Sequence, residues 1–296
     1  MALPWPVTEL PLGRGSGADV AAAGQTGDVY RERPAGVAGA VLWTSSAPAH
    51  PRPVRVLPDG CLDLLWSSRL GLLVAGPDRT AHLSTSAPAE RWVGLRLPPG
   101  VGPAVFGVPA VELRDQRVPL ADLWGARAAG ILADQAADAA SSSPAPPRPP
   151  EADAAPGADA AAQSDAAVGR GAADAGLYDV GTLLAAVAAR RLRAAGGADP
   201  LGLRVAAALA TGATVAETAA RAGLDQRSLL RHSRHLFGYG PKTLARILRM
   251  RRALALARAG MSLAEVAART GYADQAHLTR DVRALAGVPP TALLTT

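Results

Sequence analysis

Gln226, Arg227, Leu230 and Arg231 fall within six residues, and Gln275, Ala276, Thr279 and Arg280 repeat their spacing 49 positions later. Arg227 and Arg231 are four apart, so on a helix they share a face. A guanidinium can donate two parallel hydrogen bonds to O6 and N7 of guanine, worth roughly 1–3 kcal/mol of discrimination. The Gln275 amide suits the donor–acceptor pair of adenine, whereas Leu230 could touch only a thymine methyl. The other use of these arginines is phosphate pairing, which carries no sequence information. Arg234, Lys242, Arg246 and Arg283 are assigned to phosphate contact, which supplies affinity and salt dependence. The second set carries less charge, so the second unit is expected to read more weakly than the first.

A different chemistry is conceivable at Cys61, flanked by Asp59 and Asp63. A nucleophilic cysteine needs an activated thiolate with a basic neighbour, and the sequence offers no Cys-His or clustered-Cys spacing. The plain alternative is a small residue in a strand. As the only cysteine, Cys61 leaves no room for an intrachain disulfide or a cysteine-based zinc site. His277 reads as a packed helix residue, and His232 and His235 as backbone or solvent neighbours. Trp43, Trp66, Trp92 and Trp124 read as aromatic residues of a small core, with pocket lining as the alternative. No cofactor is called for.

The elements that must position the first set come from an internal repeat. Thr214-Val-Ala-Glu217, Gly223 and Asp225 are matched by Ser262-Leu-Ala-Glu265, Gly271 and Asp274. The offset is 48 up to the glycine and 49 after it. In each copy a hydroxyl residue followed three positions later by Glu spells a capping box. The glycine can stop the helix in the left-handed conformation, and the aspartate can cap the next one. Helix, tight turn and second helix is the geometry that lays one helix in a major groove.

Pro241 then opens an 18-residue helical stretch, closed by Gly260. At 1.5 Å per residue this is a rod of roughly 27 Å, against about 34 Å for one turn of DNA. A connector of that length predicts two reading helices in successive major grooves. Charge agrees: residues 201–296 hold 14 basic and 5 acidic residues, net +9, while the preceding 200 hold 17 and 20, net −3. Such a contrast points to a polyanion for the C-terminal part alone.

From Tyr30 to Trp124, short apolar runs alternate with turns. Val41–Thr44, Val54–Leu57, Leu62–Trp66, Leu70–Val74 and Trp92–Leu97 predict strands of a small, mostly antiparallel sheet or barrel. Pro103–Val108 and Leu120–Trp124 predict short helices. The expected organisation is a disordered N-terminus (1–27), a β-rich sensing or dimerisation domain (28–132), a flexible Ala/Pro/Ser-rich linker (133–177) and a DNA-binding domain (178–296). The fold class is thus α+β multidomain: a small β-rich domain, a disordered linker and an all-α domain with two helix-turn-helix units joined by a long helix. No apolar run reaches the roughly 18 residues of a membrane span, and the N-terminus lacks a signal-peptide pattern, so a cytoplasmic protein without a membrane partner is expected.

The run Val266-Ala-Ala-Arg-Thr-Gly-Tyr-Ala-Asp-Gln-Ala-His-Leu-Thr-Arg280, with Gly287-Val-Pro-Pro290, resembles the signature of AraC/XylS-type transcriptional regulators, as does the two-unit layout. Two positions depart from that pattern: Ser233 and Val282 stand where the family usually has aromatics, with Phe237 and Leu285 about one turn later. The N-terminal part, through Pro58-Asp-Gly60, Gly76-Pro77, Pro99-Gly100 and Glu112-Leu-Arg-Asp115, is similar to a β-rich domain of unsettled function found before this module. The resemblance implies a sequence-specific regulator, not an enzyme. Its partners would be double-stranded DNA, with room for a small-molecule effector at the N-terminal domain and for a homodimer. The alternative is a DNA-targeted enzyme, such as an alkyl-accepting repair protein using Cys61.

Overall fold

The computed structural model describes residues 29–141 and 158–294, with side chains from 30–141 and 175–294. The expected disorder of 1–27 lies outside the described residues.

The N-terminal part carries strands β1 (Val29–Pro34), β2 (Val41–Ser46), β3 (Val54–Val56), β4 (Leu62–Ser67), β5 (Gly71–Ala75), β6 (His82–Ser84), β7 (Arg91–Leu97) and β8 (Arg117–Pro119). Six of them form an antiparallel sheet in the order β1-β2-β7-β4-β5-β8, and β3 pairs with β6 in a separate ribbon. All five apolar runs become strands. β1, β6 and β8 are additional, because their short or mixed composition gives no period to read. Register builds the core. Leu42 faces Leu95, Leu95 faces Leu64, Leu64 faces Val74 and Val74 faces Val118, one apolar row across the sheet. On the other face the Trp43 ring lies over Gly94, where an added Cβ would sit 2.1 Å from Trp43 Cε2. Only glycine fits there.

Helices α1 (Gly102–Phe106), α2 (Ala110–Leu113), α3 (Leu120–Trp124), α4 (Ala126–Ser141) and α5 (Ala158–Ala194) follow. The stretch expected as linker is helical on both sides, to Ser141 and from Ala158. Alanine has the highest helix propensity, and Leu132 and Ala136 bury against the domain. The residues between these two helices, 142–157, lie outside the described residues. The boundary expected at 178 falls within α5. Leu177, Val180, Leu184, Ala185, Val187 and Ala188 belong to the core of the sheet domain, so the last turns of α5 cover β2 and β7 rather than opening the DNA-binding domain.

That domain consists of α6 (Pro200–Thr211), α7 (Val215–Ala222), α8 (Gln226–Phe237), α9 (Pro241–Arg258), α10 (Leu263–Thr270), α11 (Gln275–Ala286) and α12 (Pro290–Leu294). Its core runs through Leu209, Leu229, Phe237, Leu244, Ile247, Leu254, Val266, Leu278, Val282 and Leu285. Phe237 and Val282 are fully buried, as is Ser233. Phe237, one turn after Ser233, is a buried aromatic residue of this core, with its ring edge close to Gly100 of the N-terminal part. Among the described residues, no helix is long and apolar enough to cross a membrane.

Candidate nucleic-acid interface

Both units fold by the local chemistry their repeat encodes. Thr214 Oγ1 accepts from Glu217 N at 3.1 Å, and Glu217 Oε2 accepts from Thr214 N at 2.8 Å. Ser262 and Glu265 do the same at 3.3 and 3.2 Å. Gly223 and Gly271 end α7 and α10 with φ of +66° and +77°. Asp225 Oδ1 then accepts from Ser228 N at 2.7 Å, and Asp274 Oδ1 from His277 N at 2.6 Å. The Ser228 backbone N–H holds the Asp225 carboxyl below its ordinary range. Hydrogen bonds from Thr214 and Ser262 do the same for Glu217 and Glu265. Each second helix thus begins at a fixed residue, and its outward positions follow.

On α8, Gln226, Arg227, Leu230 and Arg231 are exposed, while Leu229, Ser233 and Leu236 face inward. On α11, Gln275, Ala276 and Arg280 are exposed. Thr279 is half-buried, and its hydroxyl donates to Gln275 O at 2.9 Å, leaving only lone pairs for an outside donor. Each set therefore occupies one outward face at the start of its helix. Arg234, Lys242 and Arg283 are exposed as well.

Arg246 differs. Its Nε donates to the buried carboxylate of Asp281, which also accepts from Arg249 Nη2 at 3.3 Å and from Tyr272 Oη at 3.1 Å. The Arg249 guanidinium lies 4.2 Å over the Tyr272 ring, and His277 packs edge-on against that ring at 5.2 Å. So Arg246 serves first as an intramolecular partner, tying α9 to α11. Arg252 adds a further tie, donating to Ala210 O at 2.8 Å and Thr270 O at 3.3 Å. Sequence reasoning missed this network. Its one trace was the acid at Asp281, where the first copy has His232. There His232 Nε2 lies 3.3 Å from Asp199 Oδ2, and Asp199 caps α6.

The second candidate chemistry meets an unfavourable setting. Around Cys61, Arg96 pairs with Glu32 at 3.1 Å, Asp59 at 3.4 Å and Asp63 at 3.6 Å. Trp43 Nε1 donates to Asp63 at 3.3 Å. Loss of solvation, and then the Asp59 charge, push the Cys61 thiol well up, the opposite of what a nucleophilic thiolate requires. Of the tryptophans, Trp66 is buried in the sheet core, Trp43 stacks on Tyr30 at 5.9 Å, and Trp124 packs against Phe106 under Arg191.

Residues 203–296 match a family model described as a helix-turn-helix domain, and residues 40–119 one described as a domain of unknown function. No curated protein matches the chain. Among solved structures, a probable AraC family transcriptional regulator from Rhodopseudomonas palustris is 21% identical, covering 33% of this chain and 96% of its own, with a TM-score of 0.30. ToxT from Vibrio cholerae aligns at 8% identity over 86% of this chain and 96% of its own, TM-score 0.38. Its unsaturated fatty acid-bound form gives 7%, 86%, 94% and 0.39.

Proposed function

We propose, from a C-terminal third that is an AraC-type helix-turn-helix domain, that this protein regulates transcription by binding DNA in two successive major-groove segments. One observation carries the reading. Two units of the same construction present Gln226, Arg227, Leu230 and Arg231, and Gln275, Ala276, Thr279 and Arg280, at the starts of α8 and α11, with the 18-residue α9 between them. Helix starts are where a helix-turn-helix meets base edges, and a rod of about 27 Å suits a separation near one DNA turn. In this reading Arg227, Arg231 and Arg280 address guanine and Gln226 and Gln275 adenine. Arg234, Lys242 and Arg283 hold phosphates, and Arg246 joins them only with the part of its guanidinium that Asp281 leaves free. The N-terminal domain has the sensing or dimerising part, and sedimentation of the free protein with metabolite thermal-shift screening would test it.

Selection of bound sites from random duplexes, followed by footprinting, tests the core of the proposal. Two protected segments about one helical turn apart are expected. A single patch shorter than a turn, or no protection on any duplex, would overturn it.

A further inference from the structure

Both reading helices end against the N-terminal domain. Arg114, which follows α2, donates through Nη1 to Gly238 O, the C-cap of α8, at 3.1 Å. At the other unit Arg55, in β3, donates through Nη1 to Ala286 O at 3.0 Å, and Ala81 N, beside β6, donates to Leu285 O at 2.7 Å. Leu285 and Ala286 are the last two residues of α11. A helix leaves its final carbonyls without intrahelical partners and gathers the negative end of its dipole there. One domain supplies a guanidinium to that end of both helices.

The seam around these bonds is closely packed. Gly238 has φ of +81°, and a Cβ on it would lie 2.7 Å from Pro77 Cγ and 3.1 Å from Ala110 O. Tyr239, the next residue, is buried, and Leu57 from the turn after β3 packs into the helical core. The ends held are the far ends from the reading faces. Gln226, Arg227, Arg231, Gln275, Ala276 and Arg280 are all exposed with the domain docked. A domain that masked the DNA surface would contact those faces instead.

Taken with the two-segment reading, on which it rests, this arrangement has a mechanical meaning. The α9 rod sets the distance between the units, and Asp281 and the shared core seat α11 on it. A third body bonded to the far ends of both α8 and α11 adds a second connection between the units and closes the loop. We infer that Arg55 and Arg114 are positioning residues through which the N-terminal domain braces α8 against α11 and so sets which half-site spacing the protein accepts.

The test uses the full chain and its selected site, rebuilt with one or two base pairs inserted or removed between the half-sites, beside a duplex carrying one half-site. Wild type should show a sharp optimum in spacing. The double variant Arg55→Ala, Arg114→Ala should lose about tenfold at the optimum, less than two charge-assisted hydrogen bonds are worth because only part of the brace's energy is coupled to DNA binding, and show a flattened spacing profile. Its single half-site affinity should stay within about twofold, which also reports an intact reading unit, and Arg55→Lys with Arg114→Lys should recover part of the profile. An unchanged profile in the alanine variant overturns the brace, as does an equal loss on every duplex. Tighter binding by that variant would mean that the domain masks DNA, and overturns it too. If wild type itself ignores spacing, the two-segment reading falls first and takes the brace with it.

Discussion

Tyr272 Oη donates to Asp281 Oδ2 at 3.1 Å, joining the turn of the second unit to the middle of α11. The same carboxylate, only 8% exposed, takes Arg246 and Arg249 from α9. The tyrosine hydroxyl is pushed up to about 12, by burial first and then by the Asp281 charge. A buried acid with three donors is costly to leave half-satisfied, because each partner has already given up water. Asp281 therefore adds a specific polar tie to the apolar packing that seats α11 on α9.

Asp281→Asn keeps the shape and removes the charge. It should lower stability by about 2 kcal/mol, the arginines being partly exposed and so able to recover some hydration. A fall in the urea midpoint with unchanged slope would show this. A midpoint equal to wild type would mean that packing alone fixes α11.

Arg231→Ala and Lys242→Ala should separate reading from holding. Loss of Arg231 is expected to cost roughly 1–3 kcal/mol on the selected site and far less on unrelated DNA. Loss of Lys242 should weaken both alike and reduce the salt slope by about one. Gel-shift titrations at several salt concentrations decide it. Equal losses for Arg231 on both DNAs would assign it to phosphate.

Acid should loosen the two units through their caps. Glu217, Asp225 and Glu265 have carboxyls lowered by the hydrogen bonds they accept in the folded state. A lowered folded value means stability that is complete above the ordinary carboxylate range, near 4, and lost as pH falls through the lowered folded values. Melting temperature followed from pH 6 down to 2 should drop more steeply in wild type than in Asp225→Asn. Parallel curves would remove the cap from the account.

Cys61 should behave as an inert thiol. Its surroundings disfavour the thiolate, so iodoacetamide at neutral pH should label native protein at least about tenfold more slowly than urea-unfolded protein. Incubation with alkylated DNA should leave the protein mass unchanged. A gain of one alkyl group would restore the enzymatic alternative.

Local features of the helical part were legible because they are local. A capping box, a left-handed glycine and an aspartate N-cap each act within four residues, so Thr214, Gly223 and Asp225 announce α7 and α8 without help from the rest of the chain. The strands from Val41 to Leu97 announced themselves by apolar runs between turns. Where α4 ends was not legible, because alanine serves linkers and helices alike, and burial of Ala136 against the sheet domain is what seats that helix.

From the sequence alone came the two matched units, the exposed faces at the starts of α8 and α11, and the basic surplus on that half of the chain. Only the tertiary structure could attach α5 to the sheet, commit Arg246 to Asp281, and carry Arg55 and Arg114 to the C-terminal ends of α11 and α8. Arg55 and Ala286 are 231 residues apart, and Arg114 and Gly238 are 124 apart. A single chain has no local pattern that marks which distant carbonyl an arginine will meet, because that choice is made by how two packed bodies come together.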